Sequence, residues 1–140
     1  MPDILCHANA VAVDGQGVLI TGASGSGKSG LSLQLMGFGA QLISDDQTRL
    51  TLRNGGVWAN APDNIAGLIE ARGVGILTTS YVEAAIALVI DLDQHEAKRL
   101  PQYHTVEILG RNLPCLHKVD HPAWPASILQ YLRGSRREPR

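Results

Sequence analysis

Residues 20–30 read ITGASGSGKSG, and within them Gly22-Ala23-Ser24-Gly25-Ser26-Gly27-Lys28-Ser29 satisfies the pattern G-x-x-x-x-G-K-[ST] at every fixed position. The apolar run Val18-Leu19-Ile20-Thr21 leads into it as a strand. A helix opens at about Lys28, with Leu31, Leu33, Leu35 and Met36 as apolar contacts and Gly37 and Gly39 as its stop. Strand, glycine loop and helix in this order form a phosphate cradle. Glycines let the backbone turn successive N–H groups inward, the helix N-terminus adds positive potential, Lys28 reaches the β and γ phosphates, and Ser29 is placed to ligate Mg²⁺. The stretch predicts an α/β fold that holds a nucleotide. Hydrolysis, switching and phosphoryl transfer all use such a loop, so the chemistry must be read from the rest of the chain.

Upstream, Ile4 to Val13 reads as a strand and Asp14-Gly15-Gln16-Gly17 as the turn of a hairpin into Val18-Thr21. Alternation along it puts His7 and Asn9 on a common face. Downstream, Gln41-Leu42-Ile43 begins a strand that runs into Ser44-Asp45-Asp46. Thr48 to Arg53, Asn54-Gly55-Gly56 and Val57-Trp58-Ala59 make a β-hairpin, Asn-Gly being a strong two-residue turn signal. Pro62-Asp63 and Gly73 bracket a predicted helix with Ile65, Leu68, Ile69 and Arg72 at helical spacing. That helix would leave Glu70 in its last turn, beside the negative helix end, where a carboxylate calls for a cation.

Gly75-Ile76-Leu77 and Ala84 to Leu92 read as strands, the second apolar enough to be buried on both faces. Thr105 to Leu109 and Leu113 to Lys118 are further strands around Gly110-Arg111-Asn112, and Pro122 to Leu132 closes the chain as a helix. Without a repeat or a linker, this is one α/β domain over residues 1–133, a mixed sheet flanked by helices, followed by a basic tail over 134–140 that we expect to be solvated.

At 140 residues the chain is long enough to bury a core without staples. A formal net charge of −1 and 4% aromatic residues supply neither the basic footprint nor the stacking surface of a nucleic-acid binder. No apolar run approaches the roughly 20 residues that cross a bilayer, and the start MPDILCHANAV has no secretory signal pattern. Cys6 and Cys115 lie far apart without metal-type spacing, as reduced thiols in a cytoplasmic protein would.

A magnesium ion on Ser29 calls for a carboxylate behind the serine. Asp91, after Leu88-Val89-Ile90, matches the hydrophobic strand plus Asp of many nucleotide hydrolases. The pair Asp45-Asp46 ends the strand that follows the phosphate helix, and strand pattern alone does not choose between them. Two adjacent carboxylates near polyphosphate divide naturally into a cation ligand and a proton carrier, although an Asp-Asp turn after a strand also occurs for purely local reasons. His7 by itself reads more often as a satisfied strand histidine than as a catalytic partner.

Four pieces in order, His7 in HANAVAV, the loop GASGSGKS, LISDDQTRL, and LIEARGVGIL from Leu68 to Leu77, resemble the catalytic domain of the HPr kinase/phosphorylase family. A phosphate loop is shared by many superfamilies; the ordered set from Cys6 to Leu77 is specific. The resemblance implies a P-loop kinase fold similar to phosphoenolpyruvate carboxykinase, ATP and Mg²⁺ as cofactors, phosphorylation of a serine on the phosphocarrier HPr, and reversal by phosphorolysis. It implies Asp45 as the base toward the serine hydroxyl with His7 beside it, Ser29, Asp46 and Glu70 on the magnesium side, Arg72 at the phosphates and Arg111 as a capture residue. Where the family reads Arg-Pro-Gly-Arg-Asn, this chain has Leu109-Gly110-Arg111-Asn112 after Ile108. The family's extra N-terminal domain has no counterpart and its C-terminal helices are short, so the expectation is a form with the catalytic domain alone, homo-oligomer formation being left open. A nucleotide- or phosphate-sensing module without transfer is the alternative reading, and a small-molecule kinase the third.

Overall fold

Why so many consecutive residues of ANAVAV are apolar or small becomes clear from the sheet they enter: its central strands are covered on both faces. The computed structural model describes residues 3–137. Residues 1, 2 and 138–140, which belong to the expected domain start and to the basic tail, lie outside them.

The long strand β9 (Ala84–His95) organises the sheet. Along one edge it runs parallel to β3 (Gln16–Thr21), from Gly17 opposite Ile86 to Thr21 opposite Asp91. Along the other it pairs first antiparallel with β6 (Gly56–Asn60) at Ala84 and Ala85, then parallel with β11 (Arg111–Lys118) from Val89 onward. Beyond β3 lie β2 (Ala8–Val13) and β4 (Gln41–Ser44), both antiparallel to their neighbours. Beyond β6 lie β5 (Thr48–Arg53) and β1 (Asp3–Cys6), and β10 (His104–Ile108) borders β11. The sheet is therefore mixed and has nine strands. A separate two-stranded hairpin, β7 (Leu68–Ala71) with β8 (Gly75–Thr78), completes the strands.

Residues of alternating parity on β2, β3 and β9 feed two cores. Val11, Val13, Val18, Ile20, Leu88 and Ile90 pack under α1 (Lys28–Gly37) and α2 (Trp124–Arg133), against Leu31, Leu35, Ile128 and Leu129. Ala8, Ala10, Leu19, Ile86 and Val89 pack on the opposite face, against Ile43, Leu50 and Val57. Burial of a side chain such as Leu19 or Ile90 contributes about 1.5–3 kcal/mol. At Gly17 the backbone of β3 lies close against β9: a Cβ there would lie 2.7 Å from the Ala85 carbonyl oxygen.

Two expectations fail in ways that matter for the site. The strand expected over Ile4 to Val13 breaks at His7, because β1 pairs with β5 while β2 is held between β3 and β4. The helix expected between Pro62 and Gly73 is instead a single 3-10 turn, Asp63–Ile65, followed by the β7–β8 hairpin. Gly67, at φ 76°, ends any helical run, and a Cβ on it would meet the Thr79 carbonyl oxygen at 2.8 Å. Ile69 and Ala71 are buried and Glu70 exposed, the two-residue period of a strand. Glu70 is thus not at a helix end, and the dipole argument for a cation beside it does not apply.

At the far end of β9, Glu96 meets His104. Burial pushes the Glu96 carboxyl up, yet the His104 hydrogen bond, the Lys98 amide and the charges of His104 and His117 outweigh it, leaving Glu96 below the usual carboxylate range. In the described part of the tail, Arg136 donates to the Pro101 carbonyl, which ties this segment to the domain.

Candidate active site

The phosphate loop joins β3 to α1 as the sequence requires. Gly22, Gly25 and Gly27 have φ of 151°, 82° and 105°, values that side chains rarely tolerate. A Cβ on Gly22 would lie 2.5 Å from Ser26 Oγ. The loop is braced from below: the Ser26 amide donates to the Ala23 carbonyl at 3.0 Å, and the Ala23 amide donates to both oxygens of Asp93 at 3.1 Å. Lys28 is buried, its Nζ donating to the Gly22 and Ala23 carbonyls at 2.7 and 3.0 Å. Ser24 and Gly25 are exposed at the tip.

Whether these residues suit a nucleotide phosphate is tested by what they leave unsatisfied. Ser26 Oγ is buried without a hydrogen-bond partner among the described residues, and the first turn of α1 carries no acidic residue. An orphaned hydroxyl beside a helix N-terminus without a compensating acid fits an anion.

Next to the loop lies a polar cluster built around Asn9, which is completely buried. A buried amide must be satisfied. Asn9 Nδ2 donates to Asp45 Oδ1 at 2.6 Å and to Ser32 Oγ at 3.1 Å, and its Oδ1 accepts the Asp46 amide at 2.9 Å. Asp45 also accepts from Ser29 Oγ at 2.7 Å and, on Oδ2, from the Glu70 amide at 2.9 Å. Three donors converge on one buried carboxylate and fix it.

Asp46 is its opposite. The turn after β4 is tied by the Ser44 hydroxyl on the Gln47 carbonyl and by the Gln47 amide on the Asp45 carbonyl, and it carries Asp46 at φ 71°. This left-handed residue sends the two neighbouring side chains to different environments: the Asp46 side chain is 70% exposed and meets His7 Nε2 at 3.0 Å. His7, expected beside Asp45, pairs with Asp46, because the bend between β1 and β2 swings it away from the Asn9 side. The geometry so redistributes the surroundings of the pair, Asp45 fixed on Ser29 and Asp46 open with His7.

Ser29, Asp45, Asp46 and Glu70 line one cavity of about 340 Å³ with Ile65, Leu68, Ile69 and Ile76. Four oxygen-bearing side chains form a donor set suited to a hard cation such as Mg²⁺. Asp91 stands elsewhere. Its neighbours Ile90 and Leu92 face the helices, so Asp91 faces the opposite side of the sheet with Thr21, Cys115 and His117. There, burial pushes the Cys115 thiol up to about 11, with the Asp91 charge adding to the effect. Arg72 is exposed at the turn between β7 and β8, and Arg111 is exposed at the start of β11.

From sequence, Asn9 stands out only as sharing a face with His7, and Ser32 and Asp93 not at all. Asn9 alone carried a signal, a lone amide inside ANAVAV; Asp93 reaches the loop only because β9 runs beside β3.

The profile of the HPr Serine kinase C-terminal domain matches residues 1–117. The chain belongs to this family. Among curated relatives it is 33% identical over 115 residues to the HPr kinase/phosphorylase of Malacoplasma penetrans, covering 76% of this chain and 37% of the relative. To the HPr kinase/phosphorylase of a Geobacillus species it is 40% identical over 101 residues, 66% of this chain and 32% of the relative. It spans roughly a third of the length of these family members. The solved structure of the Hpr(Ser) kinase/phosphatase from Coxiella burnetii superimposes with a TM-score of 0.79 at 32% identity, covering 93% of this chain and 88% of that one. The mixed α/β sheet with its phosphate loop is thus the fold of a P-loop kinase domain. Among the described residues no helix is long and apolar enough to cross a membrane.

Proposed function

We propose that the chain uses ATP and Mg²⁺ to phosphorylate a serine of HPr, and that the same site runs the phosphate-driven reverse reaction. The observation that carries this is the division of the aspartate pair, Asp45 locked onto Ser29 and Asp46 exposed with His7. Family membership supports the acceptor.

Loop amides, Ser26 and Lys28 would bind the nucleotide phosphates, and Ser29, Asp45 and Glu70 would hold the metal. Bound there, Mg²⁺ supplies charge neutralisation on the phosphates. Asp45 orients the Ser29 hydroxyl, and Asn9 keeps Asp45 in place. Asp46, rather than Asp45, takes the proton from the acceptor serine as its oxygen attacks the γ phosphorus, and returns it in the reverse direction. His7 holds Asp46 Oδ1, leaving Oδ2 for the hydroxyl. Arg72 and Arg111 are assigned to phosphate and acceptor by family resemblance. Residues 1–133 form the catalytic unit and 134–140 its basic tail. The cytoplasm, where ATP and reduced thiols coexist, fits the free Cys6 and Cys115.

The test is phosphoserine formation on HPr with ATP and Mg²⁺, followed by intact mass. Asp46→Asn should abolish transfer while ATP still binds. Loss of transfer confined to Asp45→Asn would return the base to Asp45. Tight ATP binding by the parent chain without any phosphoserine would sink the kinase reading in favour of a sensing module.

A further inference from the structure

We propose that Glu96, His104 and His117 form a binding site for one divalent transition ion of the zinc(II) class, distinct from the magnesium donors at the phosphate loop. One ligand atom from each of these three residues lies within 4.8 Å of the other two. His104 Nε2 is 2.8 Å from Glu96 Oε1, and the two imidazoles are stacked with centroids 4.0 Å apart.

Three elements have to cooperate to make this cluster. His104 opens β10 opposite Cys115, and His117 follows on the same face of β11, two residues along. The β11–β9 register shifts between His117 and Lys118, and this irregularity returns the end of β9 to β11. There the Glu96 amide donates to the Lys118 carbonyl at 2.9 Å, and Glu96 Oε2 accepts the Lys98 amide at 3.1 Å. The carboxylate is thereby aimed at the histidines. Its side chain is 11% exposed and that of His104 30%, so the donors are partly shielded from water.

Two imidazoles and one carboxylate suit zinc, which takes nitrogen and oxygen at about 2.0–2.2 Å in tetrahedral sites; magnesium prefers oxygen throughout. Tetrahedral binding separates donor atoms by about 3.4 Å. The Glu96–His104 pair would open by roughly half an ångström while the imidazoles turn about χ2, a broad torsion for histidine. The ion takes the place of the direct hydrogen bond that now joins Glu96 to His104. Three protein ligands leave a fourth position. Glu96 and His117 also line a groove of about 780 Å³ with Leu100, Pro101, Trp124 and Tyr131, so that position faces open space.

The full chain, stripped with a chelator and kept in excess Mg²⁺, is titrated with Co²⁺ and with Zn²⁺. We expect saturation at one equivalent, visible Co²⁺ bands of tetrahedral intensity, and displacement of the His104 and His117 imidazole resonances while those of His7, His95 and His121 stay put. Glu96→Gln and His117→Ala should each weaken binding about tenfold or more with circular dichroism unchanged. If a variant fails to fold, the parent chain's imidazole resonances decide. No saturable uptake, a response centred on His7, His95 or His121, or folded variants that bind like the parent would overturn the proposal.

Discussion

Asn9→Ala is the most informative single change, because one buried amide clamps both aspartates. Its removal takes a donor from Asp45 Oδ1, the acceptor from the Asp46 amide and a donor from Ser32 Oγ. A buried polar group left unsatisfied costs about 1–3 kcal/mol, and partial entry of water at the exposed Asp46 side moderates the sum, giving about 2–4 kcal/mol. At roughly 4 °C per kcal/mol for a chain of this size, Tm should fall roughly 8–16 °C. Transfer should fall further than stability predicts, by about 10- to 100-fold, since a small displacement of a positioned group is expensive in rate. Nucleotide affinity, set by the loop, should change much less. Urea unfolding, calorimetric ATP binding and phosphoserine formation measured on one preparation separate these effects. A variant within about 0.5 kcal/mol of the parent and equally active would refute the clamp.

Gly17→Ala should cost about 1–3 kcal/mol in urea unfolding, because its Cβ would press on the Ala85 carbonyl from 2.7 Å and neither β3 nor β9 has room to retreat. Gly22→Ala, strained at φ 151° and crowded by Ser26, should weaken ATP binding about tenfold or more in calorimetry; unchanged affinity would show that the loop can relax. Cys115, with its thiol pushed up to about 11 from an ordinary 9.0, should resist alkylation in the folded chain at pH 8 and react after denaturation. The folded state keeps this proton longer than the unfolded one, so the contribution is complete below about pH 9 and is lost as pH rises toward 11; Cys115→Ala should flatten that decline in unfolding free energy.

The phosphate loop, the Asn54-Gly55 hairpin and the long apolar strand were legible because each rests on local chemistry: glycine conformations, a two-residue turn and a doubly buried run. The stretch from Pro62 to Gly73 was not, since Ile65, Leu68 and Ile69 satisfy helical spacing as well as a strand edge. Gly67 was the discriminating residue, and its meaning depends on Thr79 and Tyr81, which only the folded chain brings beside it. At the site, the residue types were visible and their partners were not. Which aspartate takes Ser29 and which takes His7 follows from Asn9, visible in the sequence only as a lone amide among small apolar residues, and from one backbone angle that leaves no pattern there.

That angle constrains how the site is to be probed. At φ 71°, position 46 suits glycine, asparagine and aspartate, and penalises alanine or a β-branched residue by strain alone. Alanine scanning here would therefore report backbone geometry mixed with lost charge. Asparagine keeps the shape and removes the acid, whereas glycine keeps the turn and removes the side chain altogether. Comparing those two variants isolates the proton from the scaffold, and the order of their residual activities would show which of the two the turn was built to present.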